Sequence, residues 1–273
     1  MNDARDIVLS NALINASFNP GTRIQMQLLH AGLVQIKASE KLSAERVFSV
    51  TANALADMTG TAARSHYRHL AQAAEAMRSM YVTVHLNPDG TDRGRRRREI
   101  NLVQHVDYID GEGRVEWQFT NSILPYISQL RERFTHIRAK YIMPMQSQWG
   151  MRLYELALAW LGAGKTTERE LHPDDLRHLL GLDGKYPRLD NLKDRVIYPA
   201  IEDINRYSDL TIRFGQVKAG RRVIGLQFLI ARQTPQGEKR PARARALTDE
   251  DVRAGAKPGE SWDQARRRMQ GRA

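Results

Sequence analysis

A chain of 273 residues with 41% hydrophobic and 27% charged side chains has the composition of an ordinary globular protein, long enough for two domains. The absence of cysteine removes disulfides, thiolate catalysis and cysteine-ligated zinc or iron–sulfur sites. An excess of 42 Lys and Arg over 31 Asp and Glu, +11 in net charge, favours a polyanionic partner, either nucleic acid or an anionic membrane surface.

Apolar spacing predicts helices over RDIVLSNALINA and, after the Asn19-Pro20-Gly21 break, over TRIQMQLLHAGLVQIKA. Arg46-Val47-Phe48-Ser49-Val50 reads as a short strand, and Thr51 caps TANALADMTG, a helix stopped by Gly60. Thr61 starts a second helix, AARSHYRHLAQAAEAMRSM, and two helices meeting at a Met-Thr-Gly-Thr turn suggest a helix-turn-helix. Three strand-like runs follow: YVTVHL, REINLVQHVDYI and RVEWQFT. Turn signals at Asn87-Pro88-Asp89-Gly90 and Asp110-Gly111-Glu112-Gly113 separate them.

A second cycle begins after the amphipathic run NSILPYISQLRERFT, read as a bridge between halves. QWGMRLYELALAWLG is a helix whose Met151, Leu153, Leu156, Ala157, Trp160 and Leu161 form a wide apolar face. HPDDLRHLLGL is a short helix with Pro173 in its first turn. LDNLKDRVIYPAIEDINRY is a longer one that Pro199 should kink or deprive of a hydrogen bond. DLTIRFGQV and RRVIGLQFLIAR form a hairpin turning at Lys218-Ala219-Gly220. The order of helix, short strand, helix pair and hairpin thus occurs twice. It predicts an α+β chain of two tandem winged-helix domains, residues 1–140 and 141–233, with no residue-level repeat. Residues 234–273, rich in Pro, Ala, Gly, Arg and Glu with ten basic against six acidic side chains, read as a largely flexible basic tail. The N-terminus MNDARDIVLS lacks the basic start and apolar core of a signal peptide, and no run is long and apolar enough for a membrane span. A cytoplasmic address without a membrane partner is the simplest expectation.

Motifs for chemistry fare poorly. Gly162-Ala163-Gly164-Lys165-Thr166-Thr167 resembles the end of a phosphate-binding loop, but Ala159 stands where the pattern needs its first glycine. An amphipathic helix precedes it and a short strand, Glu168-Arg169-Glu170-Leu171, follows, so a helix ending at glycines is expected. The histidines are scattered without a His-x-His pair; His66 and His69 share a helical face but have no carboxylate cluster. The paired-histidine metal site of rolling-circle relaxases therefore lacks its ligands. Asp174-Asp175 are first-turn acids on a helix dipole. No catalytic residue, metal or cofactor is assigned, and the chain is not read as an enzyme.

The residues suited to duplex DNA are more specific. Lys185-Tyr186-Pro187-Arg188 precedes a second-half recognition helix that opens with Asn191, Lys193, Asp194 and Arg195. Arg and Lys suit guanine O6 and N7, Asn suits adenine, and Asp accepts from cytosine N4. Lys218, Arg221 and Arg222 at the wing tip would grip phosphates. The matching first-half positions are Arg64, Ser65, His66 and Arg68, and the run Arg95, Arg96, Arg97 and Arg98 lies in what reads as the first wing.

Several stretches carry a family likeness. They are VEWQFTNSILPYISQLRERFTHIRAKYI, SQWGMRLYELALAW, and LRHLLGLDGKYPRLDNLKDRVIYPAIEDINRYSDLTIRFGQVKAGRRVIGLQF, with FSVTANALADMTG and SHYRHLAQA in register before them. The chain resembles plasmid replication initiators of the iteron-binding Rep family over about residues 5 to 232. The resemblance implies two winged-helix domains that together span one repeated origin site (iteron). It also implies origin activation by monomers, repression of the initiator's own promoter by dimers joined mainly through the first domain, and recruitment of the host initiator and replicative helicase. Ile142-Met143-Pro144-Met145, Trp149 and the tail depart from the family pattern. A winged-helix transcriptional repressor without a replication role needs the same duplex binding and stays open at this point.

Overall fold

The computed structural model describes residues 6–233 apart from 38, 93, 95, 96, 131 and 132, with the backbone alone at 65, 66 and 68. Asp6–Ser10 is a strand, β1, and not part of a helix. Ile7 and Leu9 point inward, and the strand pairs antiparallel with Phe134–Arg138. Ser10 then caps the one-turn helix α1 (Asn11–Ile14), accepting from the Leu13 N–H at 3.2 Å. β2 (Ser17–Phe18) leads to α2 (Arg23–Leu33), whose start is fixed by a reciprocal capping box between Thr22 and Gln25.

β3 (Phe48–Thr51), α3 (Ala52–Thr59) and α4 (Ala63–Met77) form the first helix-turn-helix with the strand before it. The Thr51 hydroxyl accepts from the Ala54 N–H at 3.1 Å, and Gly60 at φ 69° ends α3 as a left-handed C-cap. Helix α4 begins after Ala62 and not at Thr61, whose hydroxyl meets that of Thr59 at 2.7 Å. β4 (Tyr81–Val84), β5 (Arg98–Asn101), β6 (Val103–Ile109) and β7 (Arg114–Phe119) follow. REINLVQHVDYI is therefore two strands. Its break is Leu102, whose N–H donates to the Met80 carbonyl while its own carbonyl accepts from Thr120. NSILPYISQLRERFT, expected to bridge the halves, contributes the single turn α5 (Leu124–Ile127) and the start of β8 (Phe134–Arg138), which pairs with β1.

The second half comprises α6 (Ala139–Ile142), α7 (Gln148–Leu161), β9 (Thr166–Leu171), α8 (Pro173–Leu179), α9 (Leu189–Leu192), α10 (Tyr198–Tyr207), β10 (Leu210–Ala219) and β11 (Arg222–Arg232). The architectural repeat is visible in the sheets. One has the order β3-β7-β6 and the other β9-β11-β10, so each places the strand before the helix pair beside the last strand of the hairpin. The α+β expectation of two winged helices holds. Beside them lie two further sheets, β2-β4-β5 and β1-β8.

That second pair of sheets corrects the placement of the arginine run. Arg97 and Arg98 belong to the β4–β5 hairpin of the β2-β4-β5 sheet, whereas the wing of the first helix-turn-helix is the β6–β7 hairpin with Asp110-Gly111-Glu112-Gly113 at its tip. The second wing turns one residue later than expected. Ala219 pairs with Arg222, leaving Gly220 and Arg221 as the tip, with Gly220 at φ 61°.

Helix α7 ties the halves together. Met151, Leu153, Leu156, Ala157 and Leu161 are buried as their spacing predicts, and Trp160 is half-buried. Arg152 and Glu155 of the same helix are buried too, at 1% and 4% exposure, and charges there must be paired. Arg152 donates to the carbonyls of Ile14 (2.6 Å) and Ala16 (2.8 Å) and to Glu155 at 2.8 Å. The other Glu155 oxygen meets His30 Nε2 of α2 at 2.7 Å, while His30 Nδ1 faces the Met26 carbonyl at 2.7 Å. Burial pushes the Glu155 carboxyl upward, but His30 and Arg152 together outweigh it and hold the group below its ordinary value. Thus the first helices of both winged-helix units meet through a desolvated ion cluster.

Candidate nucleic-acid interface

In the second half, α8 positions the loop before the recognition helix. Arg177 is nearly covered, its side chain 11% exposed; its guanidinium pairs with Asp174 at 2.6 Å and donates to the Tyr186 carbonyl at 3.0 Å. Tyr186 sits at φ 50°, an uncommon value for a bulky residue that this clamp supports. Arg177→Ala is expected to leave the helices intact yet loosen residues 183–188. Faster amide exchange confined to that loop, with about a tenfold loss of duplex affinity, is the expected readout.

The recognition helix is not regular. Between α9 and α10, Lys193–Ile197 forms a π-helical turn. Pro199 has no N–H for the Arg195 carbonyl, and its ring would press on that carbonyl in a regular α-helix, so the widened turn relieves both problems. Of the expected kink or lost hydrogen bond at Pro199, the helix shows the second, as this widened turn. Leu192, Val196, Ala200 and Ile204 face inward, leaving Asp190, Asn191, Asp194, Arg195 and Tyr198 along an exposed stripe.

Among the predicted contacts, Asn191, Asp194 and Arg195 share that stripe, and Arg188 and Lys185 are exposed at its N-terminal end. Lys193 differs. It forms an ion pair with Asp190 at 2.8 Å, and its side chain is only 16% exposed. Their hydrogen bond holds the Asp190 carboxyl low and the Lys193 ammonium high. Lys218, Arg221 and Arg222 are exposed at the wing tip. The register shift at Val217/Lys218, where Lys218 pairs with Val223 after Val217 pairs with Gly225, leaves Ile224 as an extra residue that bends the tip.

Among the described residues, the first wing is less cationic than expected. Arg64 is exposed at the start of α4, while the side chains of Ser65, His66 and Arg68 lie outside the described residues. The wing tip carries Asp110 and Glu112, and Arg114 at the base is paired with Glu112 (3.0 Å) and Glu116 (2.8 Å). Arg97 and Arg98 are exposed on their separate hairpin; Arg95 and Arg96 lie outside the described residues. Arg97 lines a cleft of about 450 Å³ between the halves, with His85 and Glu99 on one side and His178, Asp183 and Lys185 on the other. There His85 and His178 approach Nε2 to Nε2 at 3.4 Å, and His178 Nδ1 meets Asp183 at 3.1 Å. Gly181, at φ 60°, lies so close to Asn19 that a Cβ would come within 2.5 Å of its backbone nitrogen. Only glycine allows this approach of the second helix-turn-helix to the first half.

Gly162-Ala163-Gly164-Lys165 is the turn from α7 into β9; the Lys165 carbonyl accepts from Arg232 at 2.9 Å, and no helix opens at Lys165-Thr166. Among the described residues no group of three or more His, Asp or Glu is placed to hold a metal, and no helix is long and apolar enough to cross a membrane.

Sequence reasoning missed Arg177 and Tyr198. The i, i+3 spacing of Asp174 and Arg177 was a signal for the first, whereas an aromatic within a helix ordinarily reads as core.

The family model described as "Initiator Replication protein, WH1" matches residues 6–158, and that described as "Initiator Rep protein, WH2" matches residues 173–230. A replication initiation protein of Escherichia coli is 26% identical over 171 residues, 62% of this chain and 51% of that protein. The chain thus spans about half the length of that relative. The PI protein of Escherichia coli is 24% identical over 228 residues, 74% of this chain and 75% of its own length. A crystal structure of Pi initiator protein in complex with iteron DNA superposes with a TM-score of 0.69 at 22% identity, covering 85% of this chain and 99% of that one.

Proposed function

The chain belongs to the initiator replication protein family, and from that premise we propose that it is a plasmid replication initiator that binds repeated double-stranded sites at an origin. The observation that carries the reading is the exposed stripe of Asn191, Asp194 and Arg195, flanked by Arg188 and by the cationic wing tip Lys218, Arg221 and Arg222. A recognition helix places such side chains at base edges in the major groove while a wing holds phosphates. The Pi complex supplies an example of the fold on iteron DNA.

In this reading residues 141–233 supply most base readout. Residues 1–140 add backbone contacts through Arg64 and Arg95 to Arg98 and carry the self-association surface, and residues 234–273 are a basic tail. The protein acts in the cytoplasm by binding and assembly, without covalent chemistry of its own. Dimeric autorepression and capture of the host initiator and replicative helicase rest on the family resemblance.

The test is selection of duplexes from a random pool by the full chain, followed by a search for the consensus beside its gene. Direct repeats next to an AT-rich segment that, with this gene, sustain an otherwise non-replicating plasmid support initiation. A lone inverted repeat that supports repression and no replication contradicts it. Replacing Arg95 to Arg98 by Ala should weaken binding to all sequences alike and flatten the salt dependence by about 0.9 in log–log slope for each phosphate no longer neutralised.

A further inference from the structure

Tyr198 is 46% exposed on the recognition helix, in a protein whose large side chains are mostly covered. It stands three residues after Arg195 and seven after Asn191, on the same helical face. The ring is braced: it stands edge-to-face with Phe214 of β10, ring centres 5.8 Å apart at 84°. Phe214 meets the fully buried Phe228 at 5.4 Å, and Phe228 meets Trp160 of α7 at 6.3 Å. A file of aromatic rings therefore runs from the core of the second half to the surface of its recognition helix. A ring held this way presents apolar area with little side-chain entropy left to lose on binding.

The first half repeats the device independently. Tyr67, three residues after Arg64 on α4, is 41% exposed, and its ring rests on Gly113 at the β6–β7 tip, where any Cβ would collide with it. Both recognition helices thus carry an exposed tyrosine supported by their own wing.

We infer that Tyr198 is a specificity-determining residue that packs its ring against the 5-methyl group of a thymine in the major groove. The inference rests on α9 and α10 being the recognition helix. In the major groove the thymine methyl is the one apolar feature of a base edge, and an apolar side chain against it separates thymine from cytosine. Arg195 and Asn191 on the same stripe offer polar contacts only, so Tyr198 supplies the complementary chemistry. A hydroxyl contact to phosphate would instead add affinity without sequence information.

The experiment uses the full chain and the duplex it enriches from a random pool, with each thymine replaced in turn by deoxyuridine. Wild-type protein should lose about fourfold in affinity at one thymine, the equivalent of about 0.8 kcal/mol for one buried methyl. Tyr198→Phe should retain that sensitivity and Tyr198→Ala should lose it, while binding the fully substituted site as the wild type does apart from the packing of the ring itself. Equal weakening of Tyr198→Ala on every duplex, unrelated DNA included, would show a phosphate contact and overturn the inference. So would a wild type insensitive to every substitution while it still discriminates its selected site from unrelated DNA. Failure to enrich any sequence would instead overturn the functional reading, and this inference with it.

Discussion

Glu155→Gln should lower the unfolding free energy by about 3–5 kcal/mol, because it removes the carboxylate that neutralises the buried Arg152 guanidinium and that meets the buried His30 ring. Arg152 would keep the Ile14 and Ala16 carbonyls but lose its counter-charge, and His30 would lose its charged acceptor. The measurement is the urea midpoint at constant slope, which separates a stability change from a change in the unfolded chain. A shift worth less than about 1 kcal/mol would contradict the account of the cluster. Replacing all three groups together, as His30→Leu, Arg152→Met and Glu155→Leu, should cost far less than the single change, since it leaves no unpaired charge. The pH dependence has a defined sign. The folded-state Glu155 value is depressed below its ordinary 4.5. Its contribution is therefore fully present above that value and is lost as pH falls through the depressed one. The Gln variant should lack this acid-side decline.

The largest effect on DNA should come from Arg188→Ala combined with Arg195→Ala. Both are exposed, and neither is tied into the packing as Lys193 is by Asp190. If both meet guanine edges, each is worth about 1–3 kcal/mol of discrimination. The double variant should then bind its selected site at least about thirtyfold more weakly while binding unrelated duplex nearly as well. Titration of both duplexes at one fixed salt concentration measures this. Lys193→Ala should act more weakly on discrimination, because its ammonium is already committed within the helix.

Local chemistry made much of the molecule legible in its sequence. Thr51 and Gly60 bound α3 because a side-chain cap and a left-handed residue act within one helical turn, and Pro173 opens α8 for the same reason. Helix α7 follows from an apolar periodicity that needs no knowledge of its partners. What was not legible depends on distant partners. Leu9, Ala12 and Leu13 fit a helical spacing while Ile7 and Leu9 fit a strand, and only β8, more than a hundred residues away, decides between them. The arginine run looked like a wing because two hairpins follow α4, and hairpin signals do not say which sheet each one joins. Pro199 announced a perturbed helix but not its form, so the commitment of Lys193 to Asp190 and the projection of Tyr198 were hidden.

On the proposed function, base discrimination resides in the second winged helix and backbone attachment in the first. A base-by-base interference map of the full chain on its selected duplex, scoring base-edge and phosphate modifications separately, checks this division. One block of strong base-edge interference that shrinks in the Arg188→Ala, Arg195→Ala variant is expected, flanked by phosphate interference that shrinks when Arg97 and Arg98 are replaced. Base-edge interference that ignores the first variant and responds instead to Arg64→Ala on α4 would contradict it.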